Sequence, residues 1–292
     1  MNGSTPALSA LALLALFSVL PVLAIAAVIY GSQRWEQGTR AIRLRLESAR
    51  LQPSPTRYSA SEIGGLPAPV QRYFRTALKD GQPIVTAAFF MQVGSMNMST
   101  TAERWKPFTS TQRVITKRPG FDWDARIMMF PGVPACVHDA YVAGEGLLRV
   151  ALFGLVPVVN MPNSPGLAHA ELLRFFAEMV WYPTALLPSQ GVRWESVDDV
   201  SACATLSDGA ESAKLMFRFN PNGLIETVYA EARERVVDGN TVCAPWQGRF
   251  WNYAERAGMR VPLDGEVAWM LPECANTYWR GTTTSVNYEF AE

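Results

Sequence analysis

The sequence predicts an α+β protein in which an N-terminal transmembrane helix precedes a large curved antiparallel β-sheet, a half-barrel packed around one or two helices. Three observations support this prediction. A long apolar run opens the chain, many short segments with alternating apolar and polar residues follow, and two segments show the apolar spacing of a helix. Short antiparallel strands around one or two amphipathic helices bury their apolar faces by wrapping a sheet onto the helices, which is an α+β architecture.

The apolar run extends from Ala7 to Tyr30 without a charged side chain. A helix of this length spans roughly 36 Å, whereas the hydrocarbon core of a bilayer is about 30 Å thick. We therefore expect a single-pass membrane protein, with residues 1–31 as the anchor and the membrane as its partner. A cleaved signal peptide ending at Ala24-Ile25-Ala26 is the alternative, but no Lys or Arg precedes the run, as a signal peptide would require.

The side of the membrane on which the rest of the chain lies stays open. Arginines follow the run from Arg34 to Arg50, and the positive-inside rule places such a segment in the cytoplasm. The four cysteines are compatible with two disulfides in an oxidising compartment, but equally with buried free thiols. They are Cys136, Cys203, Cys243 and Cys274. We divide the remainder into a basic juxtamembrane segment and linker, 32–60, and a single α+β domain, 61–292.

The composition excludes some classes of function and favours others. Lys plus Arg and Asp plus Glu number 26 each, so the chain lacks the basic excess of a nucleic-acid-binding surface. Nine Trp and eleven Met are many for 292 residues. Large aromatic side chains and flexible Met line wide apolar interiors, but they also fill ordinary large cores. A ligand cavity and a filled core therefore both remain open.

Two helices are expected within the domain. Pro67 opens the first, Val70 to Leu78, whose apolar residues recur at i, i+3, i+4 and i+7. Ser164 caps the second, which begins at Pro165 and runs to about Val180. The apolar stripe of the second helix contains Ala168, Leu172, Phe175, Phe176 and Met179, and its polar stripe contains Glu171, Arg174 and Glu178.

The other segments predict strands and turns. The clearest alternation lies in Phe121–Phe130, where Phe121, Trp123 and their i+2 successors face one way. The other predicted strands are Trp105–Thr116, Ala135–Ala143, Ser201–Leu206, Lys214–Phe219, Val267–Leu271 and Tyr278–Phe290. The predicted turns are Pro131–Pro134, Asn220–Gly223 and Asp238-Gly239, where Gly, Pro and Asn supply the required backbone geometry.

Four strings carry a resemblance to a known family: Leu66–Val70, Pro119–Ala125, Trp181–Pro188 and Gly265–Trp269. Together they resemble a bacterial family of N-terminally membrane-anchored proteins known only as a domain of unknown function. The resemblance covers Ile63 to Phe290 and brings neither an activity nor catalytic residues. In addition, Val192–Tyr229 is similar to the strand repeats of lipoprotein-carrier domains, in which a half-open sheet wraps a helix and holds acyl chains. This second resemblance implies a fold rather than a function.

The densest group of polar residues surrounds the Phe121–Phe130 strand. Its members are Asp122, Asp124, Arg126, His138, Asp139 and Glu145. A tight hairpin at Gly132-Val133 would pair Arg126 with Asp139 and put Asp124 opposite Tyr141. Three carboxylates on one sheet face could perform acid–base chemistry or hold a hard cation. Alternatively, they are cross-strand ion pairs on a solvated face.

These features lead to a hypothesis about function: a membrane-tethered, non-enzymatic domain that binds a lipid or other hydrophobic ligand in a sheet-lined cavity. No cofactor and no metal are expected. We expect the ligand to contact aromatic and other apolar side chains of the strands and of the second helix. The candidates are Trp123, Tyr141, Phe175, Met179, Trp181, Tyr182 and Trp269.

Two other classes of function remain open. A hydrolase-type enzyme would use Asp122, Asp124, His138 and Asp139, provided that these side chains converge in a cleft. A protein-interaction scaffold would instead show a large exposed apolar patch. His138 and His169 are the two histidines, fewer than a zinc site usually uses, and no nucleophile elbow, P-loop or dinucleotide fingerprint occurs.

Overall fold

The computed structural model describes residues 6–99, 102–237 and 240–292, with only the backbone described for 6–18, 236 and 237. Within these ranges the chain forms one 13-stranded antiparallel sheet, which is curled into a half-barrel, and three α-helices. The predicted α+β class with a curved antiparallel sheet is confirmed. The predicted turn at Asp238-Gly239 lies outside the described residues.

The helices are α1 (Pro6–Ala49), α2 (Ala68–Ala77) and α3 (Pro165–Glu178), with 3-10 turns at Ala60–Ile63, Met179–Trp181, Pro183–Leu186 and Pro188–Gln190. The strands are β1 (Val85–Asn97), β2 (Trp105–Ile115), β3 (Gly120–Phe130), β4 (Val133–Val142), β5 (Glu145–Leu152), β6 (Val156–Met161), β7 (Arg193–Ser196), β8 (Ser201–Asp208), β9 (Glu211–Phe219), β10 (Ile225–Val237), β11 (Asn240–Arg256), β12 (Met259–Met270) and β13 (Ala275–Phe290).

The sheet is built from two arms that meet at its centre. The strand order is β6-β5-β4-β3-β2-β1-β13-β12-β11-β10-β9-β8-β7, so the first and last strands are neighbours. The chain winds outward from β1 to the edge strand β6, and returns inward from the other edge, β7. Helix α3 connects the two edges and packs on strands of both arms, β4 and β5 on one side and β9 and β10 on the other.

Helix α3 begins where the sequence predicts, because Ser164 Oγ accepts a hydrogen bond from the Leu167 backbone N–H at 3.2 Å. Its apolar stripe, including Leu172, Phe175 and Phe176, is fully buried in the main core. Burying a side chain of this size contributes about 1.5–3 kcal/mol. The helix is therefore held firmly inside the curve of the sheet.

Helix α2 fills another part of the same core. Its Tyr73 and Phe74 are fully buried. The Tyr73 ring packs on Phe219 of β9, and the Phe74 ring meets Trp194 of β7 edge-on. This region is close-packed with aromatic side chains.

The hairpin of β3 and β4 differs in register from the sequence prediction. Asp124 lies opposite His138 rather than Tyr141, and Trp123 lies opposite Asp139. The difference from the predicted pairing is three residues, and an odd shift exchanges the two faces of a strand. Asp139 and Tyr141 consequently point to the concave face of the sheet, whereas Asp122 and Asp124 point to the convex face.

The predicted single-pass membrane localisation is wrong. Among the residues whose side chains the structure describes, no helix combines the length and the apolar character needed to cross a bilayer. The first part of the predicted anchor, 7–18, lies outside those residues. Helix α1 continues through the predicted boundary at 31 as far as Ala49.

The C-terminal half of α1 packs on the convex face of the sheet. Gly31, Trp35, Thr39, Ile42 and Leu46 recur about every four residues and are buried there. Gly31 is required, because a Cβ atom at that position would lie 2.3 Å from the Phe153 carbonyl oxygen. The predicted basic juxtamembrane segment and linker, 32–60, therefore begins with a helix that is packed on the domain.

The cysteines do not form disulfides. All four lie among the described residues and are free. Cys136 is buried, while Cys243 and Cys274 are exposed.

Candidate functional site

A cavity of about 300 Å³ lies between α3 and the concave face of the sheet. It is placed where β1 ends and where β3 turns into β4. Protein interiors seldom contain voids much larger than one water molecule, which occupies about 30 Å³. A hollow about ten times that size is therefore a candidate ligand site.

The wall of the cavity is largely apolar. Its large apolar side chains are Met96, Met98, Trp123, Ile127, Val137, Leu148, Val150, Trp181, Trp246, Phe250, Val267 and Trp279. Five charged residues also reach the wall: Asp139, Arg174, Glu178, Arg233 and Glu266. This combination of an apolar lining with a few polar groups is typical of small-molecule sites.

Two of the side chains predicted to bind a ligand, Trp123 and Trp181, line the cavity. Phe175, Met179 and Tyr182 are buried in the surrounding core instead. Tyr141 is also buried and donates a hydrogen bond to Asp208 at 2.9 Å, and Trp269 stacks on Tyr278 beside the cavity. The structure thus brings the predicted residues to the same region but puts only the two tryptophans on the wall.

Arg174 of α3 binds two carboxylates at one side of the cavity. Its Nη1 donates to Asp139 of β4 at 2.5 Å, and its Nε donates to Glu178 one helical turn away at 2.8 Å. Its guanidinium also lies over the rings of Phe121 and Trp123. Burial opposes ionisation of the guanidinium, but the carboxylates outweigh it and raise the pKa of Arg174. Arg174 is therefore a fully compensated cation.

Glu171, one turn earlier in α3, is a buried carboxyl in a different electrostatic environment. Burial, and then the charge of Asp139, raise the pKa of Glu171 well above its ordinary value. Glu171 Oε2 and Asp139 Oδ1 have no hydrogen-bond partner among the described residues. A protonated carboxyl tolerates such burial better than a carboxylate, so the surroundings of Glu171 favour its neutral form.

Arg233 of β10 lies on the opposite arm of the sheet. Its Nε donates to the Ala170 carbonyl oxygen and its Nη1 to the Tyr278 hydroxyl, both at 3.2 Å. Its guanidinium carbon lies over the rings of Trp246 and Trp269, at 5.1 and 5.9 Å from their centroids. Such cation–π contacts stabilise a buried guanidinium but do not neutralise it.

Sequence reasoning missed Arg233 because nothing distinguishes it within the charged run from Glu231 to Arg235. A β-bulge places Glu231 and Ala232 opposite the single residue Pro245. Because a bulge shifts the alternation by one residue, it turns Arg233 toward the interior. Pro245 cannot donate a backbone hydrogen bond, which is the one sequence signal for an irregularity in this part of the ladder.

The other candidate cluster lies on the convex face beneath α1. Trp35 Nε1 and Thr39 Oγ1 each donate to Asp124 at 2.9 Å, and Thr39 Oγ1 lies 2.7 Å from His138 Nε2. Thr39 Oγ1 also lies 3.2 Å from the Trp35 carbonyl oxygen, a second acceptor for its one hydrogen. Burial lowers the pKa of His138 to about 4, so the ring is neutral at neutral pH.

Asp122 extends this cluster along β3. It is fully buried, and Arg43 of α1 donates to its Oδ2 at 2.9 Å. Burial raises the pKa of Asp122 to about 7, although the charge of Arg43 acts in the opposite direction. The role that fits these contacts is to hold α1 on the sheet.

The structure does not bring the four predicted catalytic residues together. Asp122, Asp124 and His138 lie under α1, with His138 Nε2 3.9 Å from Asp124, while Asp139 lies on the concave face. Helix α1 covers the three convex-face residues and separates them from solvent. Among the described residues, no group of His, Cys, Asp and Glu is arranged to hold a metal ion.

Residues 64–288 match the model of a family of unknown function, DUF6920. The match spans more than half of the sequence, so the chain belongs to this family. It confirms the resemblance carried by the four sequence strings to a family without an established activity. No curated protein matches the chain.

Two solved structures are similar to the chain. One is a LolA superfamily protein from Nitrosomonas europaea, with 10% identity and a TM-score of 0.39, covering 80% of this chain and 94% of that one. The other is a DUF1329 family protein from Desulfovibrio piger, with 11% identity and a TM-score of 0.40, covering 76% of this chain and 92% of that one. Similarity at this level does not extend to function.

Proposed function

We propose that this protein binds a hydrophobic small molecule or the acyl chain of a lipid in the cavity between α3 and the concave face of the sheet. The observation that carries the proposal is the cavity itself, about 300 Å³ with a largely apolar wall. Its volume is at the lower end of the range for small-molecule sites. A single chain or a compact apolar molecule therefore fits it better than a lipid with two acyl chains.

The packing around the cavity supports a preformed site. Arg174 ties α3 to β4 through Asp139, and Glu178 accepts a further hydrogen bond from Gln112 of β2 at 2.5 Å. These contacts fix the position of α3 relative to β2 and β4. An apolar cavity without an occupant lowers stability by about 24 cal/mol per Å³ of void, so an occupant would stabilise the fold.

The test is a titration with N-phenylnaphthylamine, a neutral fluorophore that brightens in apolar sites, using the full chain. We expect saturable binding with one site per chain. Substitution of Val150, on the cavity wall, by phenylalanine would fill part of the cavity and weaken binding by at least about tenfold, that is by about 1.4 kcal/mol.

The matched control is Val158→Phe. Val158 is 59% exposed on the edge strand β6 and does not line the cavity. This variant should bind the fluorophore as the unmodified chain does. Absence of saturable binding, or equal loss in both variants, would contradict the proposed function.

A further inference from the structure

The buried cation Arg233 lacks a hydrogen-bonded carboxylate among the described residues. It is 8% exposed and lines the cavity, yet the Glu171 carboxyl lies 3.7 Å from Nη2, beyond hydrogen-bond distance, and burial raises the pKa of that carboxyl well above its ordinary value. An unpaired buried charge is costly. Two of its three guanidinium nitrogens have hydrogen-bond acceptors in the protein, whereas Nη2 has none among the described residues.

The ionised carboxylates at the cavity wall are committed to other cations. Asp139 and Glu178 both bind Arg174. Glu266 pairs with Arg280 at 3.2 Å and with Arg249 at 3.7 Å. Arg233 is thus the cation at this wall without a hydrogen-bonded carboxylate in the described part of the chain.

A second donor lies beside this guanidinium. The Tyr278 hydroxyl accepts hydrogen bonds from Trp246 Nε1 at 2.9 Å and from Arg233 Nη1 at 3.2 Å. Because a phenol oxygen that accepts two hydrogen bonds still has its own hydrogen to donate, that hydrogen needs an acceptor. None of the described residues provides one, and Tyr278 lines the cavity.

We propose that Arg233 Nη2 and the Tyr278 hydroxyl bind the carboxylate of a single-chain fatty acid whose hydrocarbon chain occupies the apolar part of the cavity. This inference rests on the proposed function and specifies its ligand. Two neighbouring donors match the two oxygens of a carboxylate, and a single uncompensated cation matches a monoanion. A phosphate monoester carries about −1.5 to −2 charges and would leave part of that charge unpaired.

The test compares dodecanoate with dodecanol, which have the same chain length, by isothermal titration calorimetry with the full chain at pH 8. We expect the acid to bind roughly 10- to 100-fold more tightly than the alcohol, as a hydrogen-bonded charge contributes about 1.5–3 kcal/mol. In Arg233→Gln and Tyr278→Phe this preference for the acid over the alcohol should fall to a few-fold or disappear.

Arg235→Gln is the control for Arg233, because Arg235 is on the same strand and stacks on Trp269 but does not line the cavity. It should keep the preference for the acid. If Arg233→Gln does not fold, the comparison of acid and alcohol binding in Tyr278→Phe tests the proposal. Equal binding of acid and alcohol would overturn the headgroup assignment and leave the proposed function standing. Failure of both compounds to bind would overturn both.

Discussion

Glu171 and Arg174 are one helical turn apart on α3, yet their surroundings favour opposite charge states: neutral for Glu171 and ionised for Arg174. Arg174 stays ionised because two carboxylates contact it, whereas burial beside Asp139 raises the pKa of Glu171 and favours its protonated form. A neutral Glu171 leaves Arg233 without an ionised carboxylate beside Nη2. The charge state of this buried carboxyl therefore bears directly on whether the cavity attracts an anion.

Glu171→Gln tests this charge state through stability. If Glu171 is neutral in the folded chain, it releases its proton on unfolding at pH values above 4.5, its ordinary pKa. Its contribution to stability is then fully present at low pH and is lost as pH rises through the raised pKa of the folded state. The unfolding free energy of the native sequence should fall relative to Glu171→Gln by about 1.4 kcal/mol per pH unit above 4.5.

Urea denaturation of both proteins between pH 5 and pH 8 measures this difference. His169→Gln, on the same helix but only half-buried, is the control and should not reproduce the slope. A constant difference across this range would mean that Glu171 is ionised and forms an ion pair with Arg233.

Arg174→Gln is expected to destabilise the protein by about 3–5 kcal/mol, because it leaves the carboxylates of Asp139 and Glu178 without a cation. The free energy of unfolding from urea titration gives the value. Arg149→Gln, which removes an exposed arginine on β5, should change it by less than about 0.5 kcal/mol. A similar small effect in both variants would contradict the assigned role of Arg174.

Trp123 and Trp181 could be assigned to an interior site from sequence, since strand alternation and the end of a helix direct them inward. Arg233 could not be assigned in this way, because its inward direction depends on the bulge opposite Pro245 rather than on alternation. The charge state of Glu171 could not be predicted from the sequence either. It depends on Asp139, whose face follows from a hairpin register that the sequence leaves ambiguous.

At the scale of elements, α1 contacts the convex face mainly through hydrogen bonds and ion pairs, together with one stacked aromatic ring, Trp35. Trp35 stacks on His138 with ring centroids 4.0 Å apart, and its indole N–H binds Asp124. Farther along the helix, Arg43 binds Asp122, and Arg50 binds Glu289 of β13 at 2.7 Å. These contacts extend over several turns of α1 and fix its register on the sheet.

Trp35→Ala should release the C-terminal half of α1 without unfolding the sheet. Trp35 is 7% exposed, and truncating a buried tryptophan to alanine costs about 3–5 kcal/mol. Hydrogen exchange should therefore accelerate in residues 31–49, while strands β1, β2 and β13 keep their protection. Gln37→Ala, on the exposed face of the helix, is the control. Uniform acceleration across the sheet would indicate global destabilisation instead.

Asp122→Asn tests the same interface by pH. Asp122 titrates near 7 when folded and near 3.8 when unfolded, so its stabilising contribution is present at low pH and is lost as pH rises between these values. The native sequence should lose about 4 kcal/mol relative to Asp122→Asn between pH 4 and pH 7. Urea denaturation across this range measures the difference. Glu36→Gln, on the exposed face of α1, should show no such trend, and a pH-independent difference for Asp122→Asn would refute the assignment.

The elements themselves were largely predictable. Ser164 capping, the spacing in α2 and the alternation in β3 are local signals, and the structure contains all three elements at those positions. The register in which β3 pairs with β4 could not be predicted, because a turn containing Pro and Gly permits several registers. A shift of three residues moved Asp139 to the other face and so divided the predicted carboxylate cluster.

At the scale of the whole molecule, α3 covers the concave face of the curved sheet, and the cavity lies between the helix and the sheet. The two arms of the sheet end at β6 and β7, and α3 crosses between them on the concave side. Aromatic side chains of α2 and α3 fill part of the interior and leave the region near the ends of β1 and β3 open. Sequence patterns identify the sheet and the helix, but the volume left between them depends on long-range packing.

Native mass spectrometry of the purified full chain, before and after extraction with organic solvent, tests the central claim most directly. We predict a mass excess equal to one single-chain amphiphile per protein, which disappears on extraction and is reduced in Val150→Phe but not in Val158→Phe. A chain that carries no such mass, and acquires none after incubation with dodecanoate or dodecanol, would contradict the assignment of the cavity as a ligand site.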